Sequence, residues 1–202
     1  MSDAFEVVKT FEKKVAKYTG APFVVAVNSC TNALFLCLMW HKFTRRLPDV
    51  IEIPKRTYVS IPMQIIISGA KIRFRDENWN GRYQLAPLPI WDAAREFHAN
   101  MYDSGNFVCT SHHWSKILGI QQGGCILHDS KEADEWFRRA RFDGRTEGVP
   151  PAKDKFKHVG WHMYMSPEIA AEGLVRIDLL KQNNPPLPKD DYPDLSEMEL
   201  FK

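Results

Sequence analysis

The chain has 202 residues, 44% of them apolar, 12% aromatic and 26% charged, the balance of one folded domain with a sizeable core. Its 27 Lys and Arg against 25 Asp and Glu give a net charge of +2; the basic residues are scattered, so nothing marks a nucleic-acid surface. The cysteines Cys30, Cys37, Cys109 and Cys125 sit in apolar segments behind no signal peptide, which predicts reduced, buried thiols in a cytoplasm, and the apolar stretches are too short for a membrane span.

Along the chain, Phe5, Val8, Phe11, Val15 and Tyr18 keep a helical period behind Ser2 as N-cap, and Thr19-Gly20-Ala21-Pro22 stops that helix. A β-branched strand at residues 23–27 runs into Asn28-Ser29-Cys30-Thr31, and residues 33–41 read as a strongly apolar, buried helix. A strand at 50–53, a helix at 58–67 and a strand at 71–74 follow. The apolar run 88–91 ends on Asp92, residues 106–109 give another strand, and the stretch 108–128 reads as strand, turn, glycine pair and strand. Helical spacing over 130–142 starts behind an Asp-Ser cap, and 167–180 forms a last amphipathic helix with Ile169, Gly173, Leu174, Ile177 and Leu180 towards one side. Strands alternating with helices predict an α/β three-layer sandwich around a mostly parallel sheet. The polar segment 76–86 and the charged loop 143–157 break the rhythm. Residues 184–202, rich in proline and acids, read as an extended arm or loose end appended to a domain over 1–183.

Four places carry possible chemistry. Lys116 follows Ser111 and precedes Gly123-Gly124, and a lysine held on such a turn can form a Schiff base. Ser29-Cys30-Thr31-Asn32-Ala33 stands at a strand-to-helix junction, where free helix amides seat phosphate; Thr31 and Ser111 add hydroxyls. Asp92 ends a strand, the side on which α/β sheets bind ligands, and could pair with a protonated ring nitrogen. Tyr58 offers a ring to stack on another. Taken singly, each has an ordinary reading as a helix cap, a capping aspartate, a core aromatic or a snorkelling lysine. His112 and His113 are neighbours on a strand and point to opposite faces, so no metal site is predicted.

Taken in order, Phe11-Glu12, Tyr18-Thr19-Gly20-Ala21, Asn28 to Leu34, Pro54, Thr57-Tyr58, Gly69-Ala70, Asp92-Ala93-Ala94, Ser111 to Lys116 and Gly123-Gly124 resemble the DegT/DnrJ/StrS family of sugar aminotransferases dependent on pyridoxal phosphate (PLP). The resemblance implies the large domain of the fold-type-I aminotransferases, and homodimers or larger homo-oligomers with active sites at the interface. It further implies an amino-acid donor, glutamate first, and a nucleotide-linked keto sugar as acceptor, with no nucleic acid or membrane as partner. Lys116 becomes the Schiff-base lysine, Asp92 the partner of the pyridine nitrogen and Tyr58 the stacking ring, while Cys30, Thr31 and Ser111 hold phosphate. Arg95 stands where the family has glutamine or histidine near the phenolic oxygen. His162 replaces an asparagine that in relatives reaches the neighbouring subunit's phosphate.

Relatives continue past their equivalent of Leu180 into a small C-terminal domain, and have a strand and helix before the Asp92 strand that here are almost gone, so the sheet is expected to lack a strand. Dehydratase relatives carry histidine where Lys116 stands, which favours transamination. Dehydration or other PLP chemistry, and a non-catalytic remnant that binds PLP or a sugar nucleotide, are the alternative readings.

Overall fold

The computed structural model describes residues 5–188 and 191–202; the predicted Ser2 cap lies outside them. The elements run α1 (Glu6–Thr19), β1 (Phe23–Val27), α2 (Cys30–Phe43), β2 (Val50–Pro54), α3 (Ser60–Ser68), β3 (Lys71–Arg75), β4 (Tyr83–Gln84), β5 (Ile90–Ala93), β6 (Phe107–Ser111), β7 (Gly124–His128), α4 (Lys131–Ala140) and α5 (Pro167–Ile177).

Period-2 alternation divides the strands between two cores. Val25 and Val27 of β1, Cys109 of β6 and Ile126 of β7 face a layer built on α2, α3 and α4. Val24 and Ala26, Val108, and Cys125 and Leu127 face the opposite layer of α1 and α5. The three-layer α/β expectation therefore holds. In the second layer α5 lies so close to α1 that a Cβ on Gly173 would stand 2.5 Å from the Phe11 ring.

Strand direction needs a correction. The main sheet has the order β1-β7-β6-β5-β4, and only β5–β6 is parallel within it; β1–β7, β6–β7 and β4–β5 are antiparallel. The expectation of a mostly parallel sheet comes from the general alternation of strands with helices, which implies helical crossovers, although 108–128 reads as strand, turn, glycine pair and strand. Residues 112–123 form that turn as an irregular loop, so β7 returns beside β6 as a hairpin with Ser111 opposite Gly124.

The parallel pair β2–β3 forms a separate two-stranded sheet. Where the sequence predicted a lost strand, the segment around β4 fills the gap. Glu52 exchanges both backbone bonds with Ala86, at 2.7 and 3.0 Å, and Arg75 donates to the carbonyls of Glu52 and Gln84.

On the far side of the site, Glu12 is buried and joins three elements, accepting from the Ala26 amide and from the guanidinium groups of Arg138 and Arg141. Burial alone would raise its carboxyl. The two arginine charges outweigh that and hold it below the usual range. Among the described residues no helix is long and apolar enough to cross a membrane.

The tail is docked rather than loose. The Leu187 amide donates to the Arg95 carbonyl, the Leu195 amide to that of Lys55, and Leu195 is fully buried. Its sequence reads as solvated because three scattered leucines among prolines and acids carry no period; what holds them is the surface they meet.

Candidate active site

The carboxyl ends of β1, β2, β5 and β6 converge on one edge of the molecule, where a cavity of about 480 Å³ opens. Its walls include Cys30, Thr31, Tyr58, Asp92, Arg95, Ser111 and Lys116, seven of the eight residues named from sequence. His162 is outside it: its ring is paired with Asp143 at 2.9 Å and is largely exposed.

One wall is the start of α2. Ser29 caps the helix, its Oγ accepting from the Asn32 amide at 3.1 Å, so the ordinary capping role is real. That leaves Thr31 facing the cavity, its hydroxyl 2.9 Å from that of Ser60. The helix can come this close to the sheet because position 124 is glycine: a Cβ there would meet the Cys30 nitrogen at 2.6 Å and the Thr110 oxygen at 2.8 Å. Both are backbone atoms that cannot swing aside. Gly124→Ala should therefore cost about 1–3 kcal/mol and displace the start of α2, read as a lowered melting temperature.

Asp92 forms the buried end. One oxygen accepts from the Ala94 amide at 3.0 Å and the other from the Tyr83 hydroxyl at 2.9 Å. Burial pushes its carboxyl above the ordinary value, opposed by these two donors and by the positive charge of Lys116. The Lys116 charge acts on Cys30 as well, whose thiol is pushed well up by burial and by Asp92 and so stays neutral. Lys116 is half-buried on the loop after β6, its amide bonded to the His113 carbonyl at 2.8 Å.

Sequence reasoning missed Tyr83, Thr57 and Trp79. Tyr83 is fully buried, and its hydroxyl bridges Asp92 and the Thr57 hydroxyl, the latter at 2.6 Å. Burial and the Asp92 charge keep the phenol well above its usual range, hence a donor. Only β4 brings it there, from the polar segment 76–86, where a lone tyrosine carries no periodic signal. Tyr83→Phe should leave Asp92 and Thr57 short of a partner and cost about 1–3 kcal/mol, measured by urea denaturation. An unchanged midpoint would show the bridge to be idle.

The donor set suits an anionic ring compound: hydroxyls and helix amides at one end, a carboxylate at the other, a primary amine between. Among the described residues no cluster of His, Cys, Asp and Glu fits a metal ion.

This fold is that of the fold-type-I aminotransferases: a TM-score of 0.74 relates it to the AtS13 protein of Actinomadura melliaura, at 20% identity over 85% of this chain and 59% of that one. Residues 3–93 match the model of the DegT/DnrJ/EryC1/StrS aminotransferase family, so the resemblance drawn from the motifs is shown there. The sugar aminotransferase CalS13 of Micromonospora echinospora matches at 18% identity, covering 86% of this chain and 61% of that one with a TM-score of 0.71. A GDP-4-keto-6-deoxymannose-3-dehydratase mutant with bound GDP-perosamine matches at 18%, over 86% and 60%, with a TM-score of 0.68. The chain spans about three fifths of the length of these structures. No curated protein sequence matches it significantly.

Proposed function

We propose that the cavity binds pyridoxal phosphate and that the chain transfers an amino group from an amino acid, glutamate first, to the keto group of a nucleotide-linked sugar. The observation that carries this reading is the placement of Lys116 and the buried Asp92 on one cavity, close enough for the amine's charge to act on the carboxyl.

When bound, the cofactor supplies an electron sink for the carbon that loses its proton. Asp92, oriented by Ala94 and Tyr83, would pair with the ring nitrogen and stabilise its protonated form. Thr31, Cys30, Ser111 and the start of α2 would hold the phosphate, Tyr58 would pack on the ring, and Arg95 would lie near the phenolic oxygen. With the cofactor bound, Lys116 would be the amine that attaches it, and once freed its Nζ would take the proton from the substrate carbon and return it as general base and acid. A lysine at this position, where dehydratase relatives carry histidine, supports amination over dehydration.

The same reading covers assembly. Tyr58 is 55% exposed beside Val59, and Ile66 and Ile67 of α3 are exposed too, apolar groups that a second copy of the chain would cover. His162, clear of its own cavity, suits a residue that serves a partner's phosphate. Four free, buried cysteines suit a reducing cytoplasm.

The test is direct. Protein reconstituted with PLP should turn yellow, borohydride should fix the cofactor on Lys116 as read by peptide mass, and glutamate should yield pyridoxamine phosphate and 2-oxoglutarate. A protein that stays colourless in excess PLP overturns the reading.

A further inference from the structure

The C-terminal segment contributes two side chains to the cavity that the family-like residues do not explain, Asp191 and Tyr192. The Tyr192 ring lies near Trp79, centroids 6.3 Å apart and planes 20° from parallel. Trp79 packs in turn on Tyr83 at 4.9 Å and spends its indole N–H on the Arg56 carbonyl at 2.9 Å, so it offers the cavity an apolar face.

The segment is latched close by. Asp194 pairs with Lys55 at 3.1 Å and Arg56 at 3.3 Å, the Leu195 amide bonds the Lys55 carbonyl at 2.9 Å, the Leu195 side chain is fully buried, and Phe201 meets Phe74 edge-on. Side chains at 191 and 192 are thus set by a chain fixed immediately after them.

We propose that Asp191 and Tyr192 form the acceptor-facing wall of the site and recognise the hexose ring of the substrate. Aromatic faces pack against the C–H faces of a sugar ring, and a carboxylate accepts charge-assisted bonds from its hydroxyls. A cavity of about 480 Å³ falls within the range for small-molecule sites, roughly 300–1,000 Å³. This assignment rests on the functional reading above and deepens it, naming the residues that contact the acceptor rather than the donor.

The test is calorimetric titration of the PLP-loaded protein with UDP-glucose, GDP-mannose and thymidine diphosphate glucose, each against its matching nucleoside diphosphate. The expected result is a hexose-dependent gain in affinity for at least one pair. Tyr192→Ala and Asp191→Asn should each reduce that gain by about five- to tenfold, and Asp194→Ala, which releases the latch, should reduce it likewise. Diphosphate binding, cofactor absorbance and the glutamate half-reaction should stay as in the wild type. The proposal is overturned if no hexose adds affinity in the wild type, if the variants keep the full gain, or if Asp191→Asn impairs the glutamate half-reaction instead, which would assign the carboxylate to the donor amine. Failure to take up PLP at all is a separate outcome, read from the absorbance alone, and it sinks the functional reading on which this one stands.

Discussion

Stability should fall steeply with acidification between pH 6.5 and about 4, before most carboxylates titrate. Three histidines are buried in apolar surroundings. His41 meets Phe107; His128 sits among Phe23, Phe107 and Phe137; His112 lies between Phe11 and Phe97. Burial depresses all three, His41 and His128 to about 4 and His112 to about 3; Arg46 adds to the effect at His41, while Asp134 opposes it at His128. A histidine whose folded pKa lies below its unfolded value near 6.5 binds its proton more readily when unfolded. Its stabilising effect is therefore complete above pH 6.5 and lost as the pH falls towards 4. Each such group costs about 1.4 kcal/mol per pH unit, so the three together remove on the order of 8 kcal/mol by pH 4.5, comparable with the whole stability of a typical domain and only partly offset by Asp92, whose raised carboxyl acts in the opposite direction. Glu12, held low by its arginines, adds to the loss in the same direction below pH 4.5. Urea unfolding followed by circular dichroism at pH 7, 6 and 5 measures this. A flat stability across that range would mean that the rings protonate without unfolding, and His41→Leu or His128→Leu should each flatten part of the slope.

Those histidines also mark the limit of what the linear sequence reveals. The β-branched run 23–27 and the apolar stretch 33–41 fold as the strand and buried helix that their sequences predict, and the amphipathic helix predicted at 167–180 forms but ends at Ile177. Strand direction reads wrongly, because the alternation of strands with helices elsewhere suggests parallel pairing, while the strand, turn, glycine pair and strand at 108–128 already carry the hairpin of β6 and β7. Leu118 is buried but Trp114 is 71% exposed, so the turn between those strands is a loop pinned at one point. At the site, Lys116, Asp92 and Thr31 were recognisable because strand ends and glycine pairs leave local marks. Tyr83, Trp79 and Tyr192 were not: each reaches the cavity from a polar segment whose position is set by contacts distant in sequence. Their aromatic bulk, in stretches with no other apolar reason to be buried, was the one signal available.

Replacing either Lys116 or Asp92 should leave the fold standing while disabling the chemistry. Lys116→Ala should still fold, since the side chain lines a cavity rather than packing in a core, but borohydride should no longer fix PLP there. Turnover should drop on the order of 10²–10⁴-fold from loss of the proton-transferring amine alone, and more with loss of covalent attachment. Asp92→Asn removes the charge that stabilises a protonated ring nitrogen, so turnover should fall by a comparable factor while the Lys116 linkage still forms. The carboxyl's folded pKa is raised by burial, so its contribution to stability is complete below its unfolded pKa and is lost as the pH rises through the folded value. Burial penalises the ionised carboxylate, a cost that asparagine avoids, so Asp92→Asn should melt at the same temperature or higher, with its amide oxygen accepting from the Ala94 amide and its amide nitrogen donating to the Tyr83 hydroxyl, which turns its own proton to Thr57. Differential scanning calorimetry on the two variants, before and after adding PLP, separates these effects. If PLP raises the melting temperature of Asp92→Asn as much as that of the wild type, the carboxylate does not contact the cofactor and the orientation of the ring within the cavity must be reversed.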